Sequence, residues 1–262
     1  MGDNMKMRLL GAAILVVVLV PLVILGGLPF EIGVAAIAAL SFRELLLLFK
    51  EKNKLPLIME IFSYIAVIVV TLSLDSILQA MALIIMILFI PLIIFKKEEY
   101  NFNSATSLLG IITFIGVIYH SIINVRIGSI WELIYLLSIT ILTDTFAYLG
   151  GRFLGKTKLL ERISPNKTVE GSLIGLIVST SISSIFYLFV INPSMNVGII
   201  ILISFVLSII GQIGDLIFSA IKREFGIKDY SNIIPGHGGM LDRFDSIAFV
   251  TLFYIVIKLL IL

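Results

Sequence analysis

The sequence predicts an all-α polytopic integral membrane protein, a single membrane domain over residues 1–262 with about nine transmembrane helices. Two observations carry that expectation. Apolar residues make up 59% of the chain against 14% charged ones, with a mean hydropathy of +1.14, well outside the balance of a soluble domain. They also fall in continuous runs near spanning length, about 20 residues each. Barrel strands would alternate instead, so helices are the expected spanning element. Composition excludes as well. With no cysteine in the chain, disulfides, zinc thiolate sites and thiol catalysis are ruled out. A net charge of +2 is too small to argue for nucleic acid.

Taken in order, the first run, 9–27, follows Lys6 and Arg8 as a signal peptide would, but its length suits a span. The second, 29–48, is interrupted by Arg43 and Glu44 and is expected to stop early and continue as an interfacial helix. Runs 57–74 and 77–95 follow, with Pro91 as a candidate kink in the latter. Then come 105–124 and 130–149, where Trp131 suits an interfacial anchor or ordinary packing. The last three are 170–191, 197–218 and 245–262.

Orientation follows from the basic residues. Of 19 Lys and Arg, 17 fall in one set of alternate gaps; the opposite set holds Arg126 and Lys258. Basic residues concentrate in short cytoplasmic loops. The first set, and with it the N-terminus, is therefore expected on the cytoplasmic side of the cell membrane. The outer gaps are brief, whereas two inner segments, 144–171 and 214–245, are dense in Gly, Asp, Lys and Arg. Such loops on a rigid scaffold are where binding and catalysis concentrate. No internal repeat of the kind common in secondary transporters is evident. Residues 1–143 carry no recognisable motif, and the chemistry is expected in 144–262.

In the first inner segment Asp144, Tyr148 and Arg152 recur every four residues, along one helical face. Glycines at 150, 151 and 155 and a basic stretch lead to Ser164-Pro165-Asn166-Lys167-Thr168. Glycine lets a backbone approach phosphate closely and lysine neutralises it; a loop that merely touches lipid headgroups reads equally well here. No P-loop spacing is present. The second segment is more specific. Asp215, Ser219 and Lys222 share a face near the inner end of a span, followed by Arg223, Lys228, the loop Gly236-His237-Gly238-Gly239, and Asp242, Arg243 and Asp245. Asp242 and Asp245 point the same way if helical. Carboxylates at membrane depth are costly unless paired or holding a cation. With no thiol and hardly any imidazole, an all-oxygen site suits magnesium, which usually arrives with substrate phosphates. Salt bridges serving topology alone are the alternative. His237 reads as a proton carrier or as a hydrogen-bond partner of phosphate or loop, and His120 as structural.

The run from Ser219 through Ile221-Lys222-Arg223, Lys228-Asp229, Ser231, Ile234-Pro235, His237-Gly238-Gly239-Met240 and Asp242-Arg243-Phe244-Asp245 resembles the full signature of the phosphatidate cytidylyltransferases, the CDP-diacylglycerol synthases. Asp144, Ala147-Tyr148, Gly151-Arg152 and Ser164 to Gly171 also resemble that family. The resemblance implies a multispan helical enzyme, a homodimer in the membrane, that makes CDP-diacylglycerol and pyrophosphate from CTP and phosphatidate. It implies two cations on Asp215, Asp242 and Asp245, with magnesium as one ion and potassium as the candidate for the other. Lys222 and Arg223 would act with these carboxylates, while Asp144, Lys167, Ser219, Lys228, His237, Gly238, Gly239 and Arg243 would bind substrate. A CTP-dependent polyprenol kinase and an ion-coupled transporter are the competing readings; lipid product analysis separates all three.

The charge asymmetry yields the first prediction. Single cysteines introduced at Lys158 and Ser231 should resist a membrane-impermeant thiol reagent in intact cells and react once the membrane is opened. Labelling from outside would reverse the orientation.

Overall fold

The computed structural model describes residues 2–53, 55–73, 81–82, 102–236 and 238–261. Helices α1 (Gly2–Leu25), α2 (Gly27–Lys52), α3 (Leu57–Leu72), α4 (Phe102–Gly128) and α5 (Ile130–Leu154) precede a short hairpin, β1 (Lys158–Leu160) and β2 (Ser164–Thr168). Helix α6 (Val169–Phe186) runs on into a π-helical turn, Tyr187–Ile191, and α7 (Val197–Glu224) and α8 (Leu241–Ile261) complete the chain. Six described segments are long and apolar enough to cross a membrane: Gly27–Lys52, Asn103–Gly128, Ile130–Leu154, Val169–Ile191, Val197–Glu224 and Leu241–Ile261. The protein is thus an all-α integral membrane protein. Ala13–Leu25 and Leu57–Leu72 are shorter apolar helices. The expected run 77–95, with Pro91, lies outside the described residues apart from 81–82.

Three departures from the sequence reading have physical causes. Arg43 and Glu44 do not end the second span: α2 is continuous, and Glu44 is 1% exposed because backbone and hydroxyl donors meet its carboxylate. The last helix begins at Leu241, four residues before the apolar run at 245. That puts Asp242 in its first turn, where a carboxylate complements the helix dipole. Finally, the basic loop after α5 closes into the antiparallel β1–β2 hairpin, pairing Lys158 with Thr168 and Leu160 with Ser164.

The described residues cluster into two compact units. One comprises Met1–Asn124 with Asp229–Leu241, the other Val125–Lys228 with Asp242–Leu262. In the first, α2 meets α4 through a buried hydrogen bond between Ser41 and Tyr119, 2.6 Å, and meets α3 through the edge-on rings of Phe42 and Tyr64. Lys50 bridges to Glu60 at 2.8 Å. The His120 ring bonds the Thr71 carbonyl at 3.2 Å.

In the second unit hydroxyls join the helices. Tyr135 bonds Ser204 at 2.8 Å, and Ser208 bonds Thr143 at 2.8 Å and Ser179 at 2.9 Å. Lipid gives helices no hydrophobic reason to associate, so close packing and interhelical hydrogen bonds hold such bundles, at about 0.6–2 kcal/mol per bond. Helix starts are set by caps: Ser129 accepts from the Trp131 amide, Thr168 from Gly171, and Asn196 from Gly198 and Ile199. At the far end from the hairpin, Lys258 on α8 bonds both oxygens of Glu132 on α5, at 2.6 and 2.7 Å.

Candidate active site

The polar end of the second unit is built on a close approach of α5 and α6. A Cβ on Gly171 or Gly175 would run into the carbonyl oxygens of Ala147 or Thr143, so only glycine lets the two backbones touch. The hairpin is fastened at its base by Glu170, whose carboxylate accepts from the amides of Lys156 and Thr157, each at 3.1 Å. Arg223, near the end of α7, donates to the carbonyls of Ile163 at 3.2 Å and Ile227 at 2.8 Å. Its guanidinium thereby ties the hairpin turn to the end of α7.

These elements enclose a cleft of about 580 Å³, a size typical of small-molecule sites, lined among others by Asp144, Tyr148, Arg152, Lys167, Gln212 and Asp215. The spacing of four along α5 does turn Asp144, Tyr148 and Arg152 toward one space. Lys167, carried in from β2, donates to the Asp215 carboxylate. Burial pushes the Lys167 ammonium below its ordinary value; Asp144 and Asp245 oppose that loss and Lys222 adds to it. The Ser172 hydroxyl donates to the Gln212 side-chain oxygen, a pairing the sequence did not signal.

A second ion pair lies deeper. Lys222 donates to Asp242 at 2.6 Å, their side chains 10% and 3% exposed. Asp245, one turn on, accepts from the Ser246 amide at 2.7 Å. Ser219 is buried one turn beyond Asp215, whereas Lys228 and Arg243 are exposed. The charges form one connected cluster, since Lys167 feels Asp144, Asp245 and Lys222, and Asp144 feels Arg243. Each of the two lysines offsets one carboxylate of the cluster while remaining chemically suited to receive an anion.

Among the described residues no three carboxylate or imidazole groups converge closely enough to hold a metal ion by themselves. Asp215 and Asp242 instead face ammonium groups. The donors are all oxygen, and magnesium is commonly held by one or two carboxylates plus substrate phosphates and water. The residues therefore fit a cation that arrives with its substrate, not a preformed protein cage.

The remaining residues of the expected site belong to the other unit. Gly238 and Gly239 lie in Asp229–Leu241, where positive φ at Gly236 (70°) and Gly238 (81°) makes the tight turn that a β-bridge between Ile234 and Gly238 closes. His237 lies outside the described residues. The same loop is gripped by Glu44, which sequence reasoning treated as an interruption of a span. The signal was available, because a carboxylate inside an apolar run is a functional candidate in its own right.

Comparison with known proteins now bears on this geometry. The profile of the cytidylyltransferase family matches residues 6–260. A phosphatidate cytidylyltransferase of Staphylococcus haemolyticus (strain JCSC1435) is 36% identical over 252 residues, covering 94% of this chain and 96% of that protein. Proteins of the same name from Staphylococcus epidermidis (strain ATCC 12228 / FDA PCI 1200) and Staphylococcus aureus (strain COL) are each 35% identical over the same shares of both chains.

The buried pair makes a prediction that needs no assay of activity. Lys222→Met should strand the Asp242 charge and destabilise the protein by about 3–5 kcal/mol, whereas Lys222→Met with Asp242→Leu should recover most of that loss. Melting curves in detergent measure both. A single variant as stable as the parent would show that the pair carries no such charge.

Proposed function

The chain belongs to the cytidylyltransferase family, and from that premise we propose that it transfers the cytidylyl group of CTP to phosphatidate, giving CDP-diacylglycerol and pyrophosphate for phospholipid synthesis. The observation that carries this reading is the cluster of Asp144, Lys167, Asp215, Lys222, Asp242 and Asp245 at one end of a helical bundle. Buried lysines set among carboxylates suit a reaction between two phosphate-bearing substrates.

In the reaction a phosphate oxygen of phosphatidate attacks the α-phosphorus of CTP. The new P–O bond forms as the bond from the α-phosphorus to the bridging oxygen breaks, and pyrophosphate leaves with that electron pair. The nucleophile is already an anion near neutral pH, so no strong general base is required, and catalysis becomes positioning and charge neutralisation. That favours the hydrogen-bonding role for His237. Lys167 and Lys222 move from Asp215 and Asp242 onto substrate phosphates, Ser219 adds a hydroxyl to the polar shell, and the Gly238-Gly239 backbone keeps the substrate-binding role that the family resemblance implies. Lys228 and Arg243, both exposed, meet the incoming anions first. Magnesium, held when bound by Asp215, Asp242 and Asp245, would supply further neutralisation of the triphosphate. Potassium as the second ion, a homodimer, a cytoplasmic N-terminus and nine spans belong to the same reading. Its support for orientation is the charge asymmetry. A cytoplasmic site lets water-soluble CTP meet a lipid that enters sideways from the leaflet.

Purified protein in detergent, given labelled CTP and phosphatidate, should form CDP-diacylglycerol and pyrophosphate. A phosphorylated lipid with CDP, or no covalent change, would refute the assignment. Asp215→Asn, Asp242→Asn and Asp245→Asn should each lower turnover per folded molecule by about 100-fold or more, Asp242→Asn with a loss of thermal stability because Lys222 is stranded. Chelation of divalent cations should abolish turnover and magnesium, not zinc, restore it; full turnover in excess chelator would remove the metal.

A further inference from the structure

We infer that Glu44 is a positioning residue for this reaction: a carboxylate inside an apolar helix that closes and holds the glycine loop of the signature. The inference rests on the activity proposed above, and its physical basis is local to one unit. Glu44 sits on α2, 1% exposed. One oxygen accepts from the Ser231 hydroxyl at 2.5 Å and the Met240 amide at 2.8 Å, and the other accepts from the Leu241 amide at 2.9 Å. The first contact lies near the start of Asp229–Leu241 and the other two at its end. A single side chain therefore staples the loop shut across its mouth. The turn inside is fixed separately by the Ile234 amide on the Gly238 carbonyl, 3.0 Å.

The chemistry of the contacts selects a carboxylate. All three partners offer hydrogens, and a carboxylate is the side chain that only accepts. The loop is shaped around it, since a Cβ on Gly239 would collide with the Glu44 carboxyl group. The glycine is thus explained by close approach of Glu44, not by phosphate alone. Burying such a group in a helix of this hydropathy is expensive unless the bonds it makes are worth more. The segment it holds contains Gly238, Gly239 and Met240 and continues in the chain directly into Asp242-Arg243-Phe244-Asp245. Glu44 abuts Gly239 and grips the neighbouring amides, so it acts through the backbone it fixes.

Glu44→Gln keeps the volume and replaces one acceptor by an N–H donor, so whichever way the amide turns, a loop amide faces a donor. Hydrogen exchange of the segment 229–241, read by mass spectrometry on the full-length protein in detergent, should accelerate about tenfold or more, the scale of losing a hydrogen bond to a charged group. Turnover per folded molecule should fall by a similar factor, in kcat and not in KM for CTP. Ser231→Ala, which leaves the carboxylate and both amide bonds in place, should accelerate exchange less, and it decides the matter if Glu44→Gln fails to fold. Unchanged exchange in the variants overturns the staple. Faster exchange with undiminished turnover, or a loss confined to KM, overturns its part in the reaction. A parent protein that makes no CDP-lipid would refute the proposed activity alone, and exchange would still decide whether Glu44 holds the loop.

Discussion

A charge surrounded by apolar helices has no water to lean on, and the architecture of this protein follows from how its charges are matched within the chain. Lys222 is buried because Asp242 meets it. Glu132 is buried because Lys258 reaches it. Glu44 lets α2 run past the point where hydropathy would end it because the loop around Met240 turns its amides inward. In a medium of low dielectric each such match is strong, and each failure to match would cost several kcal/mol. The matches therefore decide where helices begin and continue as firmly as apolar periodicity does.

The same constraint explains how the candidate site is kept in shape before any substrate arrives. Glycines at 171 and 175 press α6 onto α5, Glu170 fastens the hairpin to the helix it precedes, and Arg223 ties the turn of that hairpin to the end of α7. Lys167 is thereby delivered to Asp215 by a short strand whose two ends are fixed. Electrostatic catalysis depends on a scaffold that need not reorganise when reaction begins. Here the rigidity comes from backbone contacts and caps, and the reactive side chains are free of that duty.

Much of this was legible in the sequence. Long apolar runs gave the helical membrane class, the spacing of Asp144, Tyr148 and Arg152 gave one face of the cleft, and Lys167 and Asp215 gave part of its polar lining. What was hidden depends on partners distant in sequence. Arg223 reads as a free cation until the Ile163 carbonyl folds against it. Nothing in the sequence pairs Asp242 with Lys222, twenty residues earlier, yet the two side chains meet. Glu44 reads as the end of a span because its three donors lie nearly two hundred residues away. The early start of α8 escaped for a related reason: hydropathy begins at 245, but a helix begins where its first turn is best capped and charged. The fourth apolar run, 77–95, lies almost wholly outside the described residues.

The loop Asp229–Leu241 folds with helices made long before it. During synthesis α2 enters the membrane with Glu44 while the groups that will meet its carboxylate do not yet exist, since they are encoded in the final eighth or so of the chain. The closing of the N-terminal unit must then wait until residue 241 has left the ribosome. Its assembly is one of the last events in the making of the protein, not one of the first. A truncated chain that stops before the loop would contain every element of that unit's helical scaffold and still lack the segment that closes it. Cutting the chain at its apparent midpoint would not separate two independent halves, and a quality-control protease would meet a buried charge without its partners in any molecule whose synthesis ended early.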